Sequence, residues 1–206
     1  MEPKPTVYVV DDDVSVRESL EALVEVGGWQ PRIFASAKAF LAEPPAVGPS
    51  CLVLDVGLPD LNGLDLQSAI ARDRADMPII FITGFGDVPM TVRAMKAGAA
   101  EFLTKPFSDE VLLEAIGAAI ERSRTAVGEQ ASLKSLRGRY ASLSRREREV
   151  MSLVVSGLLN KQVGGELGIS EITVKAHRGK VMEKMGARSL ADLVKMSERL
   201  RPLVAS

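Results

Sequence analysis

The sequence lacks the paired cysteines of disulfide-rich proteins and the long apolar runs of membrane proteins. It contains one cysteine, Cys51, and one histidine, His177, among 206 residues. A single cysteine excludes an internal disulfide, and because Cys51 begins an apolar run, we expect a buried thiol in a reducing compartment. No apolar run reaches the roughly 18 residues of a membrane span. The first residues, MEPKPT, lack the apolar segment of a signal peptide, so we expect a cytoplasmic protein with no membrane partner.

The small net charge of −1 conceals two halves of opposite sign. Residues 1–120 hold 9 of the 26 basic and 18 of the 27 acidic residues, a net charge of −9, whereas residues 121–206 carry +8. A basic half of this size suits a polyanionic partner, and the acidic half does not. Since the length also allows two small domains, we expect two domains with different partners.

Strand-like and helical patterns alternate over residues 1–123. The strand-like patterns are the β-rich runs TVYVV, PRIF, CLVLD, PIIFIT and EFLTK. The helices are predicted at Val14–Val26, Ala37–Leu41, Gly63–Arg72, Val88–Ala97 and Asp109–Ser123. This alternation predicts an α/β fold, with a five-stranded parallel sheet covered by helices on both faces.

Carboxylate, hydroxyl and ammonium side chains stand where four of the predicted strands end. They are Asp11, Asp12 and Asp13 after the first strand, Asp55 on the third, Thr83 on the fourth and Lys105 on the fifth. Because the carboxyl ends of parallel strands share one edge of the sheet, these groups can converge. Clustered carboxylates repel one another without a cation, and Mg²⁺ suits one or two carboxylates combined with waters and phosphate oxygens. The pattern therefore favours a magnesium site that handles phosphate.

The same residues suggest phosphoryl transfer. Asp55 could attack phosphorus and form an aspartyl phosphate. Mg²⁺ and the Lys105 ammonium would neutralise charge on the transferred group, and the Thr83 hydroxyl could donate a hydrogen bond to it. For Asp13, which has no role in this scheme, we favour an N-cap or first-turn position in the first helix.

Residues 122–140 are polar and basic, and they predict a linker that is helical in part. Residues 141–201 show only helical patterns, four in number, with Ser144 and Glu147 at capping-box spacing and Ser170 before the third helix. A short helix, a glycine-containing turn and a longer helix form the helix-turn-helix layout. Gly164 and Gly165 inside the second helix predict a close approach between helices.

The third of these helices carries the charge expected of a DNA-binding surface. Its cations are Lys175, Arg178, Lys180 and Lys184. Its predicted apolar face consists of Ile172, Val174, Val181 and Met185. Most of the cations are predicted to contact phosphate, with few side chains reading base edges.

The motifs VVDDD, LVLDVGLPDLNGLDL and PIIFITGFGDVPMTVRAMKAGAAEFLTKPF resemble the receiver domain of two-component response regulators of the FixJ/NarL-like group. The resemblance covers residues 5–121 and implies a flavodoxin-like (CheY-like) fold with a phosphoacceptor, a metal site and a switch. It implies that Asp55 is the phosphoacceptor, that Lys105 and Thr83 contact the phosphoryl group and that Phe102 is the aromatic switch. It also implies that Asp12, Asp55 and the backbone carbonyl of Gly57 hold Mg²⁺ (or Mn²⁺), with Asp11 bound through water. The Lys105–Pro106 bond matches one that is cis in the family.

The motifs LSRREREVM and GLLNKQVGGELGISEITVKAHRGKVMEKMGARSLADL resemble the LuxR-type helix-turn-helix domain. The resemblance covers residues 141–196 and implies an all-α, four-helix domain, residues 141–201, whose last helix contributes a dimer contact. It directs Lys175, Ala176 and Gly179 toward the major groove. His177, Arg178 and Lys180 complete the predicted DNA-binding set.

Together the two resemblances imply a DNA-binding response regulator. Phosphorylation of Asp55 by a sensor histidine kinase would switch homodimerisation and binding to double-stranded DNA, and RNA polymerase would be a further partner. Because His177 is the only histidine and lies in the second domain, the phosphoryl donor must be another molecule. We expect no enzyme activity beyond self-phosphorylation on Asp55 and slow autodephosphorylation.

Two other classes of function fit parts of the pattern. A phosphatase of the haloacid-dehalogenase type also places an aspartate nucleophile and Mg²⁺ on a doubly wound sheet. Asp11 and Asp13 offer its two-residue spacing, although the threonine of that motif is missing. The other alternative is a protein-interaction module whose first domain no longer takes phosphate.

Overall fold

The computed structural model describes residues 4–71 and 73–200, and the chain separates into two units, Met1–Gly128 and Glu129–Ser206. The first three residues of the MEPKPT segment, the predicted helix end at Arg72 and the last residue of the range 141–201 lie outside the described residues. Every helix in the described ranges is too short or too polar to cross a membrane.

The first unit is built on a parallel sheet of five strands in the order β2-β1-β3-β4-β5. The strands are β1 (Thr6–Val10), β2 (Gln30–Phe34), β3 (Ser50–Asp55), β4 (Ile79–Thr83) and β5 (Glu101–Thr104). Each predicted β-rich run forms one strand, and the predicted α/β fold is confirmed. The starts of β2, β3 and β4 differ from the predicted runs by one residue, and β5 stops at Thr104, so that Lys105 is the first residue beyond it.

Two apolar layers cover the two faces of the sheet, because successive strand residues point to opposite sides. Leu52 and Leu54 of β3 pack into one buried cluster, and Cys51 and Val53 pack into the other. All residues of β3 and β4 are buried, which explains their nearly continuous apolar sequence. The predicted burial of Cys51 is confirmed, and burial raises the pKa of its thiol.

Five helices connect or follow the strands of the first unit. They are α1 (Val14–Val26), α2 (Ala37–Ala42), α3 (Gly63–Ile70), α4 (Val88–Lys96) and α5 (Asp109–Ala141). The predicted end of α5 at Ser123 is wrong, since the helix continues through the residues predicted as a linker. Asp13 is the N-cap of α1, with its carboxylate accepting from the backbone N–H of Ser15 at 2.8 Å and of Val16 at 3.3 Å.

The second unit is helical throughout its described part. After the C-terminal part of α5, it contains α6 (Arg145–Val155), α7 (Asn160–Leu167), α8 (Glu171–Met185) and α9 (Leu190–Leu200). Leu136 of α5 is buried in the same cluster as Met185 and Leu193. The last turns of α5 therefore belong to the core of this unit.

Capping residues place α6 and α8 as the sequence predicts. Ser144 and Glu147 form a capping box at the start of α6, and Ser170 accepts from the backbone N–H of Thr173 at 3.1 Å at the start of α8. The turn between α7 and α8 passes through Gly168 at φ +65°, a left-handed conformation that glycine adopts without steric cost. The predicted short helix, turn and longer helix are confirmed.

Candidate functional site

Three predicted site residues meet at the carboxyl edge of the sheet. The Lys105 Nζ donates to Asp11 Oδ2 at 2.7 Å and to Asp55 Oδ1 at 3.0 Å. Asp55 ends β3 and Asp11 directly follows the neighbouring strand β1, while Lys105 reaches them from the end of β5. Both carboxylates are buried, and Lys105 is partly buried. The sheet thus brings together two acids and one base that lie far apart in the sequence.

The ammonium of Lys105 is held in its charged form by this arrangement. Burial by itself would lower the pKa of Lys105, but the hydrogen bonds and negative charges of Asp11 and Asp55 outweigh it and raise that pKa above its ordinary value. A positive charge between two buried carboxylates offsets their mutual repulsion. It also leaves one net negative charge in the cluster, which favours a further cation.

Backbone groups hold the second oxygen of each carboxylate. Asp55 Oδ2 accepts from the backbone N–H of Gly57 at 2.7 Å, and Asp11 Oδ1 accepts from that of Asp13 at 2.9 Å. Arg17 of α1 adds a hydrogen bond of 2.8 Å to the Asp11 carbonyl. These contacts fold the loops after β1 and β3 back toward the cluster. The carboxylates of Asp11 and Asp55 are therefore fixed by both the Lys105 side chain and the main chain.

The remaining predicted acid, Asp12, has an exposed side chain next to this cluster in the sequence. In residues 4–71 and 73–200, no three side chains among His, Cys, Asp and Glu lie close enough together to hold a metal ion. The donor types nevertheless fit Mg²⁺, which prefers oxygen ligands and commonly uses one or two carboxylates completed by water and phosphate. The site offers these oxygen donors: two buried carboxylates, an exposed carboxylate beside them and the Gly57 backbone.

Thr83 and Phe102 lie on the neighbouring strands β4 and β5. Thr83 is buried, and its hydroxyl accepts from the backbone N–H of Phe85 at 3.2 Å. The ring of Phe102 is partly buried, with its centroid 6.1 Å from that of Phe81. The Thr83 hydroxyl therefore has a local partner, and Phe102 packs on the sheet beside it. The Lys105–Pro106 bond is cis, as the family resemblance implies.

Two residues near the site were not found by sequence reasoning. A Cβ added to Gly86 would lie 3.1 Å from Phe102 and 3.2 Å from Thr83, so this glycine lets the loop after β4 approach both side chains. Asp60 accepts from the backbone N–H groups of Ala37 and Lys38 at the start of α2, and these bonds lower the pKa of its carboxyl. Asp60 thereby anchors the loop that carries Gly57. The only sequence signal for either residue is its place in a turn after a strand.

The predicted DNA-binding residues divide into exposed and partly buried groups on α8. Lys175, Ala176, Gly179 and Lys180 are exposed. Arg178 is partly buried and donates to Asn160 Oδ1 of α7 at 3.1 Å. The other partly buried residue is His177, whose Nδ1 has no hydrogen-bond partner among the described residues.

One prediction on α8 is wrong, and one of its cations is paired with an acid of α6. Lys184 donates to Glu147 Oε2 of α6 at 2.7 Å, because this nearly buried carboxylate needs a partner. The hydrogen bond from Lys184 is the main cause that lowers the pKa of Glu147 to about 2. Ile172, predicted on the buried face, is 83% exposed, whereas Val174 and Val181 are buried. Ile172 therefore lies on the exposed side of α8, where Lys184 also lies.

The two glycines inside α7 have different surroundings. A Cβ on Gly164 would lie 2.7 Å from the backbone oxygen of Ile169, so no side chain fits there. A Cβ on Gly165 would meet nothing within 4 Å. The predicted approach between helices is therefore wrong for Gly165, and at Gly164 the close approach is instead to the turn between α7 and α8.

Comparison with known proteins gives both units a family. Residues 7–117 match the response regulator receiver domain model, and residues 141–197 match the model of bacterial regulatory proteins of the luxR family. The chain is 54% identical over 197 residues to nodulation protein W of Bradyrhizobium diazoefficiens, covering 96% of this chain and 87% of the relative. It is 45% identical over 192 residues to the transcriptional regulatory protein FixJ of Rhizobium meliloti, covering 93% and 94% of the two chains.

Solved structures give the same result. The response regulator StyR is 45% identical, covers 95% of this chain and 99% of its own, and superposes with a TM-score of 0.86. Full-length FixJ from B. japonicum is 40% identical, with coverage of 98% and 99% and a TM-score of 0.58.

Proposed function

We propose a function that proceeds from one established premise: this chain belongs to the family of response regulators that join a receiver domain to a LuxR-type DNA-binding domain. As a member of that family it is a transcriptional regulator. The proposal is that a sensor histidine kinase phosphorylates Asp55 and that this event controls the binding of the second domain to DNA.

The observation that carries the proposal is the bridge from Lys105 to Asp11 and Asp55. In the transfer step a carboxylate oxygen of Asp55 forms a bond to phosphorus as the bond between phosphorus and the donor's histidine nitrogen breaks. The Lys105 ammonium is already in contact with Asp55, and it can follow the developing charge onto the phosphoryl oxygens. The backbone N–H of Gly57 keeps the other Asp55 oxygen in place during the step.

The residues fit a divalent cation in this scheme. Asp12, Asp55 and the Gly57 carbonyl would hold Mg²⁺, with Asp11 bound through water, and the ion would neutralise phosphoryl oxygens when bound. We propose that the domain catalyses only its own phosphorylation and slow dephosphorylation. The phosphatase alternative needs Asp11 as nucleophile and Asp13 as acid, but the Asp13 carboxylate is engaged as the N-cap of α1.

Phosphorylation would then act through Thr83 and Phe102. The Thr83 hydroxyl would leave the Phe85 backbone and donate to a phosphoryl oxygen, and Phe102 would turn into the space beside it. This movement changes the surface formed by α4, β5 and α5. On α4, Val88, Val92 and Met95 are exposed and lie on one helical face, since they are four and three residues apart. We propose that this apolar face supports the phosphorylated homodimer.

The second unit would bind double-stranded DNA through α8. Lys175 and Lys180 are exposed and free to contact phosphate, and Ala176 and Gly179 are small enough to let the helix enter the major groove. In a homodimer two such helices would engage half-sites about one helical turn apart. RNA polymerase is the further partner of this proposal, and a protein that binds DNA and the polymerase acts in the cytoplasm.

The decisive experiment combines labelling with binding. Incubation with acetyl phosphate and Mg²⁺ should add the mass of one phosphoryl group to the chain and none to Asp55→Asn. Beryllofluoride should increase the sedimentation coefficient and the affinity for DNA of the unchanged chain, with Asp55→Asn as the control. Absence of an Asp55-dependent mass gain would favour the interaction-module alternative, and phosphomonoester turnover lost in Asp11→Asn would favour the phosphatase.

A further inference from the structure

One large apolar side chain on α8 has no place in the core of its domain. Ile172 is 83% exposed, although β-branched apolar residues are usually buried and Val174, two residues away, is fully buried. The side chain stands in the first turn of the helix, directly after the Ser170 cap. Its exposure follows from its angular position, because it points away from the helices that cover Val174 and Val181.

Helical spacing places Ile172 with the residues assigned to the major groove. Lys175, Ala176 and Gly179 follow it by three, four and seven residues, which puts all four on one side of an α-helix. All four are exposed. In a helix-turn-helix domain the N-terminal residues of the second helix contact base edges. Ile172 is therefore nearer that end than any residue in the predicted DNA-binding set.

The chemistry of this face identifies its ligand. Ile172 and Ala176 present only methyl and methylene groups, and Gly179 presents no side chain, so these three positions offer no hydrogen bond to a base. The apolar feature of the major groove is the C5 methyl group of thymine. Lys175 and Lys180 on the same helix supply the charge that draws this face to DNA. We propose that Ile172 is a specificity-determining residue that reads thymine through its C5 methyl group.

This inference rests on the proposed DNA-binding function and predicts one feature of it. A binding site is first selected from random duplex DNA with the full chain and beryllofluoride. Each thymine of the selected site is then replaced by deoxyuridine, which lacks only the C5 methyl group. At one or two positions in each half-site this replacement should weaken binding about fourfold, the effect expected for one buried methyl group. With Ile172→Ala, deoxyuridine and thymine should bind equally at those positions.

Two variants serve as controls for the comparison. Lys180→Ala should weaken binding to all sites while the thymine-to-deoxyuridine ratio stays at its original value. Leu159→Ala removes another exposed apolar side chain, at the start of α7, and should also leave the ratio unchanged. Because Ile172 is exposed, its alanine variant should melt at the temperature of the unchanged chain.

The outcomes separate this inference from the function on which it rests. Failure to select any DNA site would overturn both. Selective DNA binding with no thymine sensitive to deoxyuridine, or with the same sensitivity in Ile172→Ala, would overturn only the assignment of Ile172. A loss of self-association in Ile172→Ala with an unchanged ratio would overturn it too, because the side chain would then contact a second copy of the chain.

Discussion

The adjacent glycines of α7 allow a matched test of how the helix-turn-helix is held. Gly164→Ala and Gly165→Ala make the same chemical change one residue apart in the same helix. Each alanine gains about 1 kcal/mol of helix propensity over glycine. Only the Cβ at residue 164 would collide with a fixed atom, the Ile169 backbone oxygen at 2.7 Å, whereas the Cβ at residue 165 meets nothing within 4 Å.

The magnitude of the difference can be estimated from this geometry. The Ile169 oxygen cannot move aside easily, because the Ile169 N–H donates to the Gly164 carbonyl at 3.0 Å and fixes the turn. Overpacking of this kind costs about 1–3 kcal/mol. Gly165→Ala should therefore stabilise the second unit by about 1 kcal/mol, and Gly164→Ala should be less stable than Gly165→Ala by about 1–3 kcal/mol.

Calorimetric unfolding of the full chain can measure both effects. For a domain of this size, 1 kcal/mol moves the melting temperature by about 4–8 °C, so the two variants should differ by several degrees. The transition of the first unit should stay where it is in both variants and serves as an internal reference. Equal melting temperatures for the two variants, or stabilisation by Gly164→Ala, would refute the proposed close contact between α7 and the turn.

Three further predictions concern the charged residues of the two units. The pKa of Glu147 is lowered from 4.5 to about 2, so its ion pair contributes stability above pH 4.5 that disappears as the pH falls toward 2. In urea titrations, the unfolding free energy of Glu147→Gln should therefore vary less with pH across that window. Lys105→Met should slow labelling of Asp55 by acetyl phosphate about 100-fold, and an unchanged rate by mass spectrometry would contradict the role of the ammonium. Lys180→Ala should reduce the slope of log affinity against log salt by about 0.9, whereas Lys184→Ala should lower the melting temperature and keep the slope.

The carboxyl edge of the sheet was predictable because it depends on topology alone. Alternating strand and helix patterns fix a parallel sheet, and residues at the ends of its strands must then share an edge. Asp11, Asp55 and Lys105 meet there for that reason. The contribution of Gly86 was not predictable, since it depends on how closely one loop approaches the Phe102 ring.

The length of α5 shows a different limit of sequence reasoning. Its residues 124–140 have no strong apolar stripe, which is the signal by which amphipathic helices are recognised. The helix is held instead by few contacts, with Leu136 buried against Met185 and Leu193 and with the Arg139 guanidinium donating to the Met185 carbonyl at 3.0 Å. Most helical stability comes from such tertiary packing, which a local pattern does not contain.

The error at Ile172 on α8 has a cause that also bears on function. Sequence reasoning sorted residues by polarity, which put Ile172 on the buried face of the helix. The structure sorts them by angle around the helix, so that Ile172 shares the exposed face and Lys184 meets the nearly buried Glu147. One cation of α8 is thereby paired with Glu147, and one apolar side chain joins the face that we propose binds DNA. A face with fewer charges and more methyl groups depends less on phosphate for its affinity and more on base edges for its choice of site.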